Sequence, residues 1–184
     1  NIVVISDEIY SELTYETTHV SMAKYLPEQT ILLNGVSKSH AMTGYRIGFL
    51  AGPAEVVKKL GLIHQFTVTT VTNSSMAAAT EALNTEAGRE DTHIMKKQYK
   101  ERRDFVFDTM TSLGFAIPKP AGAFYIFAKI PEKFEQDDTK FARDLAQKNQ
   151  LAVVPGSSFG PGGEGYVRLS YAASMSKLQD AMNR

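Results

Sequence analysis

Apolar and polar positions change period several times along this chain, and each change predicts an element. The stretch 2-IVVI-5 is an unbroken, β-branched apolar run, which predicts a fully buried strand within residues 1 to 10, ending on Asp7-Glu8. Residues 31-ILLNGVSK-38 repeat the plan, a short strand running into a turn, and 45-YRIGFLAGP-53 predicts another strand closed by Gly52-Pro53. In 54-AEVVKKLGLIHQF-66, Val56, Val57, Leu60 and Ile63 keep helical spacing despite Gly61. The alanine-rich 73-NSSMAAATEAL-83 predicts a second helix, with Asn73 or a following serine as N-cap. From about 91 to 113, Met95, Tyr99, Val106, Met110 and Leu113 form one stripe, lysines and arginines take the other positions, and Gly114 is the stop. Beyond it, 123-AFYIFAKI-130, 151-LAVVP-155 and 165-GYVRLSYA-172 predict strands. A helix is expected over 138-DTKFARDLAQKN-149, and a last one from Ser174 or Ser176 onward.

Strands alternating with helices place the chain in the α/β class. The boundary is expected near residue 92: residues 1–92 read as the later part of a mostly parallel sheet domain, and 93–184 as a smaller α/β (α+β) unit. A chain that opens directly on a central strand reads as a fragment.

Composition narrows the function classes. Of 184 residues 43% are hydrophobic and 22% charged, and the formal net charge is zero, so nothing supports a nucleic-acid or anionic-membrane surface. No apolar run approaches the roughly 20 residues needed to cross a bilayer, and the opening lacks a basic leader. Cysteine is absent, which removes thiolate chemistry, and the four histidines lack metal-ligand spacing. The expectation is a soluble, cytoplasmic protein without metal.

Lys38 lies just behind a Gly-Val-Ser turn, with Arg46 eight residues further on. A free lysine amine is uncharged in only about one molecule in 2,500 at neutral pH, so a nucleophilic lysine needs burial or a neighbouring cation, for which Arg46 is placed. The bland alternative is a solvent-exposed lysine. Arg46, set among apolar residues and glycines in 44-GYRIG-48, can present its planar fork to a phosphate or pair with a carboxylate. Ser37 and the amides around Gly35 can serve the same anion. Asp7 sits where a strand meets its loop, three residues before Tyr10, and either faces a ligand or caps the turn. Arg168 alternates with Val167 and Leu169, so it points away from their face, toward solvent or a site. The glycine-rich 156-GSSFGPGGEG-165 contains no nucleotide-binding motif.

Taken together, 7-DEIY-10, 35-GVSKSHAMTGYRIG-48, 120-PAGAFY-125 and 155-PGSSFGPGGEGYVRLSYA-172 resemble the class I and II aminotransferases of PLP fold type I, over the later half of such an enzyme. The resemblance implies pyridoxal 5′-phosphate as cofactor, held by a Lys38 Schiff base, with Lys38 also moving the proton. It assigns Asp7 to the pyridine nitrogen, Tyr10 to the phenolic oxygen, Arg46 and Ser37 to the phosphate, and Arg168 to the substrate's α-carboxylate. It further implies amino acid and 2-oxo acid substrates, a full-length homodimer, and an inactive isolated fragment.

Three departures stand against the family pattern. Gly35 replaces a phosphate-binding serine found in many relatives, the earlier half of the site is missing, and no arginine lies between Arg46 and Arg89 to favour dicarboxylates. The rival readings are a carbon–sulfur β-lyase with the same cofactor and an aminotransferase-like sensing domain of a transcription regulator.

Overall fold

The structure is a computed structural model and describes residues 2–184; Asn1, part of the first expected strand, lies outside the described residues. The chain divides between Lys96 and Lys97 into two compact units, against an expected boundary near residue 92.

In the first unit, β1 (Val4–Asp7) pairs parallel with β2 (Thr30–Gly35), in a register from Val4↔Thr30 to Asp7↔Leu33. β3 (Gly48–Ala51) pairs antiparallel on the other side of β2, with Gly35 opposite Gly48. One of the two pairings is therefore parallel. β2 runs directly into the short helix α1 (Val36–Ser39), and α2 (Ala54–Thr67) and α3 (Asn73–Asn84) follow β3. The cap of α3 is Thr72, whose side chain accepts from the Ser75 amide, rather than Asn73 or a serine. Its β-region backbone suits an N-cap, and the helix behind it needs one acceptor for its unpaired amides.

The burial expected for 2-IVVI-5 is not met: Ile2, Val3 and Ile5 are 77%, 63% and 67% exposed. β1 is an edge strand paired on one side only, and among the described residues these side chains stay largely uncovered. On α2 the stripe is shallow. Val56, Val57 and Leu60 are half-buried, while Ile63 faces solvent.

Helix α4 (Glu86–Ser112) begins earlier than its apolar stripe, and ends before Leu113, which is exposed. Its Arg103 is fully buried, although the pattern put basic residues on the outer face. In the second unit β4 (Tyr125–Lys129), β6 (Tyr166–Ser170) and β5 (Val154–Pro155) form an antiparallel sheet with β6 in the middle. Ile126 and Ala128 of β4 turn into a core shared with Val106 and Met110 of α4, and Val167 of β6, paired with Ala128, is buried on the same face of the sheet. Leu178 from α6 (Met175–Met182) closes that core, and α5 (Asp138–Asn149) covers the expected helical stretch. The alternating partners Tyr125, Phe127, Tyr166, Arg168 and Ser170 line the opposite face.

Gly156 and Gly163 explain much of the glycine-rich loop. A Cβ on Gly156 would lie 2.1 Å from the Gly163 carbonyl oxygen, and one on Gly163 2.0 Å from that of Gly156, so the two backbones touch where no side chain fits.

Candidate active site

Parallel pairing puts the C-terminal ends of β1 and β2 at one edge of the sheet. β3 returns to the same edge, because its first residue, Gly48, stands opposite Gly35. Asp7 ends β1, Ser37 and Lys38 lie on α1 just past β2, and Arg46 lies just ahead of β3. Four of the six expected site residues therefore gather at the edge where open α/β sheets receive ligands. Tyr10 follows closely, at the head of the 3₁₀ turn Ser11–Leu13.

Ser37 and Lys38 are half-buried. Asp7 is exposed, and its Oδ1 accepts from the Ile9 amide at 3.2 Å, so one oxygen holds the turn. Arg46 is exposed as well, with Nη1 donating to the Thr43 carbonyl at 2.9 Å. Its backbone is left-handed, φ 53°, as is that of Ala41. Non-glycine residues adopt this region at a cost, and two of them bracketing one short turn mark a loop held in a fixed shape. Part of the holding comes from α3, where buried Ser75 donates through Oγ to the Tyr45 carbonyl at 2.8 Å.

Gly35, where the family resemblance leads one to expect a serine, has no room for a side chain: a Cβ there would meet the Ile47 carbonyl oxygen at 2.9 Å and Gly48 Cα at 3.0 Å. β3 sits too close to the β2–α1 junction for any larger residue. A hydroxyl for an anion at this edge must come from elsewhere, and Ser37 is the nearest along the chain.

Behind Asp7, Glu8 points the other way and is almost fully buried. Its carboxylate accepts from Ser6 Oγ (3.0 Å) and Ser21 Oγ (2.7 Å) and contacts His19 Nε2 at 2.8 Å. Burial opposes its ionisation, but the hydrogen bonds from Ser21, His19 and Ser6 outweigh that and hold the carboxyl below its ordinary range. The loop bearing His19 and Ser21 is thus fastened to the strand that presents Asp7. This network was not legible in the sequence, because His19 and Ser21 lie in an irregular loop that no periodic pattern ties to Glu8.

In the second unit Arg168 lies on the aromatic face of β6. Its guanidinium carbon stands 4.6 Å from the Tyr125 ring centre and 4.4 Å from that of Phe159, which ends the 3₁₀ turn Gly156–Phe159. Two rings hold the fork, and the stacking leaves its N–H edge available for a planar anion.

Comparison with known proteins gives the family. The family model "Aminotransferase class I and II" matches residues 1–184. The chain belongs to the class I and II aminotransferases. It is 48% identical over its whole length to a probable N-acetyl-LL-diaminopimelate aminotransferase of Bacillus subtilis, covering 46% of that protein. It is 41% identical, again over its whole length, to an aspartate aminotransferase of Pyrococcus horikoshii, covering 47% of it. The solved aromatic aminotransferase of Pyrococcus horikoshii superimposes on 98% of the chain with a TM-score of 0.93 at 38% identity, over 49% of its own length. The chain thus spans about half the length of the relatives it matches. Members of this family depend on pyridoxal phosphate, and the donor set at the sheet edge suits it: an amine for its aldehyde, a carboxylate for its ring nitrogen, and a guanidinium and hydroxyl for its phosphate.

Proposed function

We propose that the protein carrying this chain is a pyridoxal-phosphate-dependent aminotransferase that moves an amino group from an amino acid to a 2-oxo acid. The observation that carries the proposal is the strand register, which gathers Asp7, Lys38 and Arg46 at one sheet edge. When bound, the cofactor supplies an electron sink for the electron pair left at the substrate's Cα.

The chain's own residues do the rest. Lys38 Nζ would hold the cofactor at its aldehyde carbon, with loss of water, and once displaced would take the proton from the substrate's Cα and deliver it to that carbon, two atoms away across the amino nitrogen. Asp7 keeps the ring nitrogen protonated through its negative charge, and Tyr10 donates to the phenolic oxygen. Arg46, its turn fixed by Ser75, binds the phosphate with Ser37. Arg168 binds the substrate carboxylate through two parallel N–H donors. The units fit the remainder of a large cofactor-binding domain and a small C-terminal domain. A cytoplasmic homodimer completes the reading.

The test uses the complete protein. Adding pyridoxal phosphate should produce a visible absorbance band that Lys38→Ala abolishes. With an amino donor from a panel including aspartate, an aromatic amino acid and N-acetyl-LL-diaminopimelate, the amino-loaded form should return to its starting spectrum only on adding a 2-oxo acid. Release of pyruvate and ammonia from cystathionine without a 2-oxo acid would establish the β-lyase instead. No band at all would refute both.

A further inference from the structure

His40, which ends α1 two residues after Lys38, is held at both ring nitrogens. Nε2 lies 3.1 Å from the Gly88 carbonyl in the first turn of α4, and Nδ1 lies 2.8 Å from Ser39 Oγ. A carbonyl only accepts, so Nε2 carries a hydrogen. Both anchors are fixed. The Gly88 amide is itself held by Thr85 Oγ1 at 3.0 Å, and a Cβ on Gly88 would lie 2.1 Å from the Ala82 carbonyl oxygen. Ser39 is buried, and its Oγ also stands 3.3 Å from the Gly35 carbonyl at the β2–α1 junction.

The single hydroxyl hydrogen of Ser39 cannot serve both neighbours. Beside a neutral imidazole it points to Nδ1, and the Gly35 carbonyl goes without it. Beside an imidazolium, Nδ1–H donates to Ser39 Oγ, and the hydroxyl turns to Gly35. The proton on His40 therefore selects a hydrogen bond at the root of the turn that carries Lys38.

We propose that His40 is a positioning residue for Lys38: it locks the lysine turn onto the first turn of α4, and its protonation state sets the direction of the Ser39 hydroxyl. The proposal rests on reading Lys38 as the cofactor tether. Other charged groups border the same cavity of about 310 Å³, namely Glu12 from the turn after β1 and Arg89 and His93 from α4, while β2, β3 and α3 contribute uncharged residues there; Lys38 shares α1 itself.

The experiment measures the dissociation constant for pyridoxal phosphate and the position of its visible band from about pH 5.5 to 8, in the complete protein. His40→Phe fills the ring's space without its hydrogen bonds, and should weaken cofactor binding roughly five- to tenfold. His40→Gln keeps an amide donor for Gly88 and does not titrate. It should bind within about twofold of the parent near neutrality, yet show no change of affinity or band position across the same pH range where the parent changes. His93→Gln and Glu12→Gln should leave that dependence in place. The proposal falls if His40→Gln follows the parental pH profile, or if His40→Phe folds and binds as the parent does. Should His40→Phe not fold, the profile of His40→Gln decides alone. A band and affinity unchanged by Lys38→Ala would instead overturn the tether reading beneath it.

Discussion

The guanidinium of Arg168 and the ring of Phe159 stack at 4.4 Å, although they come from different elements, a central strand and the turn ahead of it. Phe159 is half exposed, so its ring is not there to fill the core. It restricts the fork from one side while Tyr125 restricts it from the other. Phe159→Ala should raise KM for the amino acid about fivefold with a smaller change in kcat, because a partly solvated cation–π contact is worth roughly 1 kcal/mol. Phe159→Tyr should restore the parental KM. Steady-state kinetics of the complete protein checks this, and an unchanged KM in Phe159→Ala would show that the ring does not hold the arginine for binding.

A second prediction concerns acid. Asp138 opens α5 almost fully buried, and its Oδ2 accepts from the Ser157 amide at 2.7 Å. Burial opposes its charge, but the Ser157 backbone and side-chain hydrogen bonds prevail, and its carboxyl lies below the ordinary range. A carboxyl depressed in the folded state adds stability that is complete well above its unfolded value, near 3.9, and is lost as pH falls through the folded one. Asp138→Ala should cost about 1–3 kcal/mol at pH 7, and the gap to the parent should narrow below about pH 4. Urea unfolding at pH 7 and pH 3.5 measures both; a gap constant with pH would contradict the charged hydrogen bond.

Gly35 and Gly44 make a matched pair for a third prediction. A Cβ at Gly35 strikes β3, whereas one at Gly44 meets nothing within 4 Å. Gly35→Ser, although it adds the hydroxyl expected from the family resemblance, should destabilise the protein by about 1–3 kcal/mol and weaken cofactor binding. Gly44→Ala should be neutral or stabilising by a few tenths of a kcal/mol, since it restricts the unfolded chain without a clash. Thermal unfolding of the two variants decides, and equal effects would mean that β3 yields more readily than its backbone contacts indicate.

The elements with one strong period were legible in the sequence. The helix expected over 138–149 is α5 residue for residue, and the alternation around Arg168 places Val167 in the core and Arg168 on the opposite face. The lysine turn was legible through the resemblance of 35-GVSKSHAMTGYRIG-48 to a family signature, since Ser37, Lys38 and Arg46 taken singly each have a bland alternative. What was not legible depended on partners far apart in sequence. Ile2, Val3 and Ile5 have the pattern of a buried strand, but burial needs a covering layer that a strand cannot specify. Arg103 resembles a surface cation because periodicity ranks residues by type and cannot register a carbonyl waiting seventeen positions away. His40 carried no signal in the sequence for the same reason, since its partner Gly88 is 48 residues on.

Arg103 supports a last prediction. Fully buried within α4, it directs Nε (3.0 Å) and Nη2 (2.8 Å) to Oδ1 of Asp104, while Nη1 donates to the Pro120 carbonyl at 2.8 Å. Lys119 approaches the same Asp104 oxygen at 3.0 Å. Burial works against the Asp104 charge, yet Lys119 and Arg103 together hold the carboxyl below its usual range. The arrangement fastens the start of 120-PAGAFY-125, which leads into β4 and Tyr125, to the middle of α4. Arg103→Met keeps the aliphatic bulk but leaves the Pro120 carbonyl without this donor and Asp104 with Lys119 alone. It should cost about 2–3 kcal/mol, less than severing a fully buried pair because Asp104 is partly solvated. Arg103→Lys should recover only part of that, since one ammonium cannot reach both acceptors in the geometry of a planar fork. Limited proteolysis between Lys119 and Tyr125 provides a local readout: faster cleavage in Arg103→Met, with intermediate cleavage in Arg103→Lys, follows from the fastening. Equal urea midpoints for all three proteins would show that the buried guanidinium contributes packing and nothing more.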